Sequence, residues 1–206
     1  MNGNDTTPES RRSAPVAAPV AALVLAAGLS RRAGAVNKLL ADVDGCAMVE
    51  VVTATALAAG YAPVLVVTGF EAARIETALA GFDVGFVDNP DFTEGMAASI
   101  RHGVSALPED TAGVLICLGD MPWVSVATLE ALRTGFSQSD AATIRRPVKD
   151  GVPGNPVLFG CAYFGELLAL DGDHGGKSVI QAHLHAVVEI AVEDAGIFRD
   201  LDKPGA

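Results

Sequence analysis

Cysteine is scarce in this chain. Cys46, Cys117 and Cys161 stand far apart, with no Cys-x-x-Cys pair and no histidine at ligand spacing. That argues against a disulfide framework and against zinc, and favours a reducing cytoplasm. Basic residues are also few, with 14 Lys+Arg against 25 Asp+Glu and a net charge of −11. A non-specific nucleic-acid binder would be basic overall, so no nucleic-acid partner is expected. No apolar stretch is long and continuous enough to span a bilayer, so no membrane association is expected. A Ser-His-Asp or Cys-His constellation is missing too, and the chain carries neither a repeat nor an internal linker. Arg11 and Arg12 precede "SAPVAAPVAALVLAAG" in the manner of a twin-arginine export signal, but two prolines interrupt the run. Its apolar end also feeds a glycine-containing loop, which cleavage would destroy. Residues 1–18 are therefore expected to form a flexible tail, with one folded domain over 19–206.

What is present fits that single domain. The chain has 206 residues, half of them apolar and 19% charged, enough for a sizeable buried core. Strand-like and helix-like segments alternate. Strands are expected at 20–25, 62–69, 82–90, 112–122, 140–148, 154–160 and 187–192. Helices are expected at 46–60, 71–81, 95–107 and 124–136, the last capped by Ser125, and around "AYFGELLAL" and "GGKSVIQAHLHA". This order implies a largely parallel sheet with helices on both faces and one antiparallel excursion near 140–160. Ligands of such sheets bind beyond the carboxyl ends of the strands.

"LVLAAGLSRRAGAVNKLL" (Leu23 to Leu40) is the first stretch with chemical content. A buried strand runs into a glycine-containing basic loop, a common way to hold phosphate on backbone amides. Five residues separate Gly28 from Gly34, and Lys38 lies four beyond, so the spacing is not that of a Walker A loop. Ser30 occupies the second glycine position of a dinucleotide fingerprint, so that pattern fails as well. An ordinary strand–helix connection remains the plain alternative. Asp120 ends the apolar run "GVLICLGD" and presents a carboxylate at a strand end. It suits a hard cation such as Mg²⁺ bridged to phosphates, or simply a turn or helix cap. Cys117, in the same run, is expected to be a small core residue.

The pattern L-A-A-G-x-S-x-R-x-G-x-x-N-K-L-L, read from Leu25 to Leu40, resembles the signature of the molybdenum-cofactor nucleotidyltransferases, within the MobA-like NTP transferases. "GMAASIRHG" (Gly95 to Gly103), "LGDMPWV" (Leu118 to Val124), "GNPVLF" (Gly154 to Phe159), "GDHGGKS" (Gly172 to Ser178) and "RDLDKP" (Arg199 to Pro204) resemble further family segments in family order. Together they span roughly residues 20–204. Asn155 stands where the family often has histidine, and Lys203 where threonine is usual.

The resemblance implies a three-layer α/β/α, Rossmann-like (glycosyltransferase-A-like) fold with a mostly parallel sheet. It also implies transfer of CMP from CTP to the terminal phosphate of molybdopterin, with Mg²⁺ as cofactor and an apo molybdenum hydroxylase as recipient of the product. Leu25, Ala26, Ala27, Gly28, Ser30, Arg32, Lys38, Ser99 and Gly119 would bind the nucleotide, with Lys38, Arg32 and Asp120 carrying catalysis. Asp120 and Asp202 would hold the metal, and Gly154, Asn155 and Asp173 the acceptor. Leu-Ala-Ala-Gly resembles the cytidylyl branch, whereas the guanylyl branch tends to read Leu-Ala-Gly-Gly. Three alternatives stay open: a guanylyltransferase, a sugar-phosphate or other small-phosphate nucleotidyltransferase, and a non-catalytic cofactor-binding chaperone. His183 and His185, two apart on an expected helix, suit surface or packing roles better than metal binding. His102 and His174 receive no role, and Trp123 is expected either in the pocket wall or in the core.

Overall fold

The computed structural model describes residues 19–29, 37–173 and 175–201. Ser30, Arg31, Arg32, Gly34, His174, Asp202, Lys203 and the expected tail at 1–18 lie outside the described residues. In chain order the elements begin with β1 (Val20–Leu25), β2 (Asp42–Val43), β3 (Cys46–Ala47), α1 (Met48–Ala58), β4 (Val64–Thr68) and α2 (Ala72–Ala78). Then come β5 (Gly85–Asp88), α3 (Met96–Ser105), β6 (Gly113–Leu118), α4 (Val126–Arg133), β7 (Ile144–Lys149) and β8 (Val152–Pro153). The chain continues through β9 (Val157–Gly160), α5 (Phe164–Leu168), α6 (Lys177–Ala182) and β10 (Val187–Ala191). No helix among the described residues is long and apolar enough to cross a membrane.

The main sheet runs β10-β7-β9-β6-β1-β4-β5, with β8 paired to β7. β5, β4, β1 and β6 are parallel to one another, as are β7 and β10. Only β9 and the short β8 run against their neighbours, which places the expected antiparallel excursion at 152–160. The register sets Leu25 opposite both Val67 and Leu118, so the carboxyl ends of β1, β4 and β6 finish level. Because β9 is reversed, its start lies at that same edge, with Val157 opposite Ile116.

Two cores flank the sheet. Along β1 the side chains alternate: Val20, Ala22 and Val24 join the core under α1 and α4, while Ala21 and Leu23 join the one under α3 and α5. A strand buried on both faces must read as a continuous apolar run, as VAALVL does. Helix α1 turns Met48, Val49, Val52 and Ala56 inward, successive spacings of one, three and four that make a single stripe. Helix α3 approaches the sheet more closely, through Gly103. A Cβ there would lie 2.7 Å from Leu23 Cδ1 and 3.0 Å from Val67 Cγ2. The Ser125 cap is formed, its Oγ accepting from the Thr128 N–H at 3.2 Å.

Three details differ from expectation. The helix expected from residue 46 starts at Met48, because Cys46 and Ala47 pair with Asp42 and Val43 in a small hairpin. Asp44 and Gly45 make its turn with positive φ at both positions, the tight-hairpin signature of Asp-Gly. Strand β8 arises from a second such turn at Asp150–Gly151. Helix α6 stops at Ala182, so His183 and His185 lie beyond it. The His183 ring packs on Tyr163, and its Nε2 sits 2.8 Å from Glu166 Oε1.

Candidate active site

The site grows out of the level strand ends. Beyond β1 the chain is held on both sides. Ala26 N donates to Val67 O at 2.8 Å, Phe70 N to Ala27 O at 3.3 Å and Gly119 N to Leu25 O at 3.1 Å. Ala26 and Ala27 are buried, and Gly28 is the first residue to emerge, with open space where its Cβ would project. The start of the glycine loop is thus a fixed platform between β4 and β6. Gly119 is needed for that closeness, since a Cβ there would sit 2.6 Å from Leu25 O.

Asp120 follows, and Lys38 reaches it from the far end of the loop. Lys38 Nζ donates to Asp120 Oδ2 at 2.6 Å, with side-chain exposures of 19% and 23%. Lys38 opens a short 3₁₀ turn, Lys38–Leu40, whose N-cap is the wholly buried Asn37. Leu39 plugs the turn into the core beside Gly119. The pair sets one cationic and one anionic group side by side at the edge.

Residues 194–201 cross this edge as a strap. Leu201 N donates to the Asp120 carbonyl at 2.9 Å, and Asn155 N to Ile197 O at 3.0 Å. Gly154 and Gly196 permit two backbone approaches, against Ile197 and Trp123 respectively. Arg199 lies over the half-buried Trp123 ring at 4.2 Å from its centroid, so Trp123 supports the strap rather than filling the core. The strap begins at Asp194, which accepts from Ser125 N (2.8 Å), Thr128 Oγ1 (2.7 Å) and Gly196 N (2.8 Å). Partial burial alone would raise the Asp194 pKa, but these hydrogen bonds outweigh it and hold the carboxyl below its usual range. A lowered carboxylate pKa stabilises the fold above the unfolded-state value, and the contribution fades as pH falls through the folded-state value. Asp194→Ala is therefore expected to cost about 1 kcal/mol at neutral pH, after allowance for solvent screening. Urea unfolding from pH 7 to pH 3 checks it: the gap between wild type and variant must narrow toward acid.

Ser99 lies in the first turn of α3, and Asp173 packs against the start of that helix. Ser99 is buried, and its Oγ accepts from Asn89 Nδ2 at 3.0 Å. The exposed Asp173 lies against Gly95, and its Oδ1 accepts from Met96 N at 3.3 Å. The structure thus gathers Leu25–Gly28, Lys38, Gly119 and Asp120 with Gly154 and Asn155 along the strap, while Ser99 lies buried within α3 against Asn89 and Asp173 sits against the start of that helix. Asn37, Asn89 and Asp194 had no assigned role from sequence. Asn37 lies inside the loop pattern, and a polar residue ahead of Lys-Leu-Leu was its one signal. Burial pushes the Cys117 thiol up to about 12, in keeping with a core residue.

For a metal, Asp120 is the described carboxylate in place; no group of three or more His, Cys, Asp or Glu capable of holding an ion occurs among the described residues. The site nonetheless accommodates a cation, since an ammonium already lies against Asp120 Oδ2. One or two carboxylates completed by substrate phosphates is the usual pattern for Mg²⁺.

Comparison with known proteins is consistent with a nucleotide site. The family model described as "MobA-like NTP transferase domain" matches residues 22–187. Rv0371c from Mycobacterium tuberculosis superposes with a TM-score of 0.79 at 29% identity, over 91% of this chain and 95% of that one. A second structure of Rv0371c is a complex with manganese, with a TM-score of 0.67 at 29% identity over 86% of this chain and 89% of that one. A nucleotidyl transferase from Methanothermobacter gives 0.77 at 25% identity, over 90% and 92% of the two chains. The bifunctional protein GlmU of Sphingopyxis alaskensis is 33% identical over 78% of this chain. The chain spans only about a third of that protein's length (34%).

Proposed function

Because this chain belongs to the MobA-like NTP transferase domain family, we propose that it is a nucleotidyltransferase that moves CMP from CTP onto the terminal phosphate of molybdopterin. The products are pyrophosphate and molybdopterin cytosine dinucleotide, the latter handed to an apo molybdenum hydroxylase. The observation that carries the chemistry is the Lys38–Asp120 pair, 2.6 Å apart at the joint ends of β1 and β6.

In the proposed reaction a phosphate oxygen of the acceptor attacks the α-phosphorus of the nucleotide. The new P–O bond forms in line as the bond to the β-phosphate oxygen breaks, and pyrophosphate carries away the electron pair. A phosphate monoester is already an anionic nucleophile, so no general base is needed, and positioning with charge neutralisation supplies the acceleration. Lys38 turns from Asp120 to the triphosphate, which the loop from Gly28 through Ser30 and Arg32 wraps. Asp120, joined by Asp202, would hold Mg²⁺, and the ion when bound would supply charge neutralisation for the pyrophosphate leaving group. The bond from Leu201 N to the Asp120 carbonyl brings Leu201 to the same edge; the role given to Asp202 rests on the family resemblance of "RDLDKP". Gly154 and Asn155, tied to the strap through Ile197, would face the acceptor, and Ser99 and Asp173 would line the α3 side.

The preference for CTP rests on Leu25-Ala26-Ala27-Gly28. The test is pyrophosphate release with Mg²⁺ and molybdopterin, with CTP and GTP supplied separately. CTP-dependent release is the expected result. Release with GTP alone would keep the chemistry and overturn the base assignment. No release with either, but release with a sugar 1-phosphate, would overturn the acceptor.

A further inference from the structure

We infer that Asn37 is a positioning residue: its side chain closes the base of the glycine loop and sets where Lys38 stands, an inference that rests on the nucleotide-binding reading of this site. The Asn37 side chain is wholly buried. Its Oδ1 accepts from Leu39 N at 3.1 Å, which fixes the turn carrying Lys38. Its Nδ2 reaches Phe70 O at 3.4 Å. Phe70 in turn donates its N–H to Ala27 O at 3.3 Å. Phe70, two residues beyond the end of β4, thus holds both ends of the loop, Ala27 directly and Asn37 through its amide.

Leu39, fixed by Asn37, also lies against Gly119, the residue before Asp120. Asn37 therefore acts on both members of the Lys38–Asp120 pair without facing the ligand. No other side chain of this size offers both functions. Aspartate keeps the acceptor for Leu39 N but sets a carboxylate against the Phe70 carbonyl, and alanine offers neither group.

The test is a double-mutant cycle on the binding of Mg²⁺–CTP and Mg²⁺–GTP, measured by calorimetry on wild type, Asn37→Ala, Lys38→Ala and the double variant. Asn37→Ala is expected to weaken binding about tenfold in the wild-type background, and less than twofold once Lys38 is gone. Equal weakening in both backgrounds, or none, would overturn the inference. Should Lys38→Ala itself leave both affinities unchanged, the nucleotide-binding reading falls, and this inference falls with it. If Asn37→Ala fails to fold, Asn37→Asp, equal in size, takes its place in the same cycle with the same two outcomes.

Discussion

Asp120→Ala is expected to lower pyrophosphate release by about two to three orders of magnitude at saturating CTP, the scale seen when one preorganised electrostatic contact is removed from a transition state. Stability is expected to change little. The Asp120 side chain is a quarter exposed and its bond to Lys38 is one partly solvated ion pair, worth at most about 1 kcal/mol. The structural work of this residue is done by its backbone, whose carbonyl accepts from Leu201 N, and alanine retains it. A thermal midpoint near wild type together with the loss of turnover would place Asp120 in the chemistry. Turnover within threefold of wild type would remove it, and would move the metal to carboxylates outside the described residues.

Lys38→Ala carries the second large effect, and its two ligands should respond with opposite signs. Turnover is expected to fall about a hundredfold or more, because the proposed reaction would lose the cation assigned to the triphosphate. The KM for the nucleotide is expected to rise as well, since the role proposed for Lys38 covers ground-state binding and the transition state alike. Manganese without nucleotide, however, should bind more tightly. In the wild type a metal must displace the ammonium at 2.6 Å from Asp120 Oδ2. Removing that competitor is expected to strengthen binding about two- to fivefold, the equivalent of an ion pair worth up to about 1 kcal/mol. Titration of free Mn²⁺ by paramagnetic resonance reads this directly. Unchanged or weaker metal binding in Lys38→Ala would mean that the two groups do not compete for Asp120.

Why these groups were legible from sequence, and others not, follows from the range of the forces involved. The β1 strand, the loop and Asp120 announce themselves locally: an apolar run needs a buried strand, and its abrupt end in Gly119-Asp120 needs an exposed edge. Ser125 was readable for the same reason, since a cap acts over three residues. The β2–β3 hairpin was missed although Asp44-Gly45 is a turn signal, because the apolar helix pattern that follows reads back across Cys46 and Ala47. The contact between Lys38 and Asp120 spans 82 residues, and no local pattern encodes it. The strap is the extreme case. Asp194 looks like one more acidic residue near the end of an acidic chain until the fold brings Ser125 and Thr128 to it. Asn37 stood inside the motif, but its partner Phe70 lies on another strand's exit.

The reversed strand has a consequence for the order in which the protein can be made. Strands β1, β4, β5 and β6 leave the ribosome first and form a contiguous parallel block. The next strand to appear, β7, has no seat on that block, because the place beside β6 belongs to β9. Until Val157–Gly160 emerges and inserts, the nascent chain presents the apolar strand β6 as an open edge, with Ile144–Lys149 waiting alongside unpaired. Open edges of this kind recruit other strands. The interval between the synthesis of β6 and that of β9 is therefore when this chain most needs a chaperone, and slow translation through residues 119–156 would lengthen that exposure.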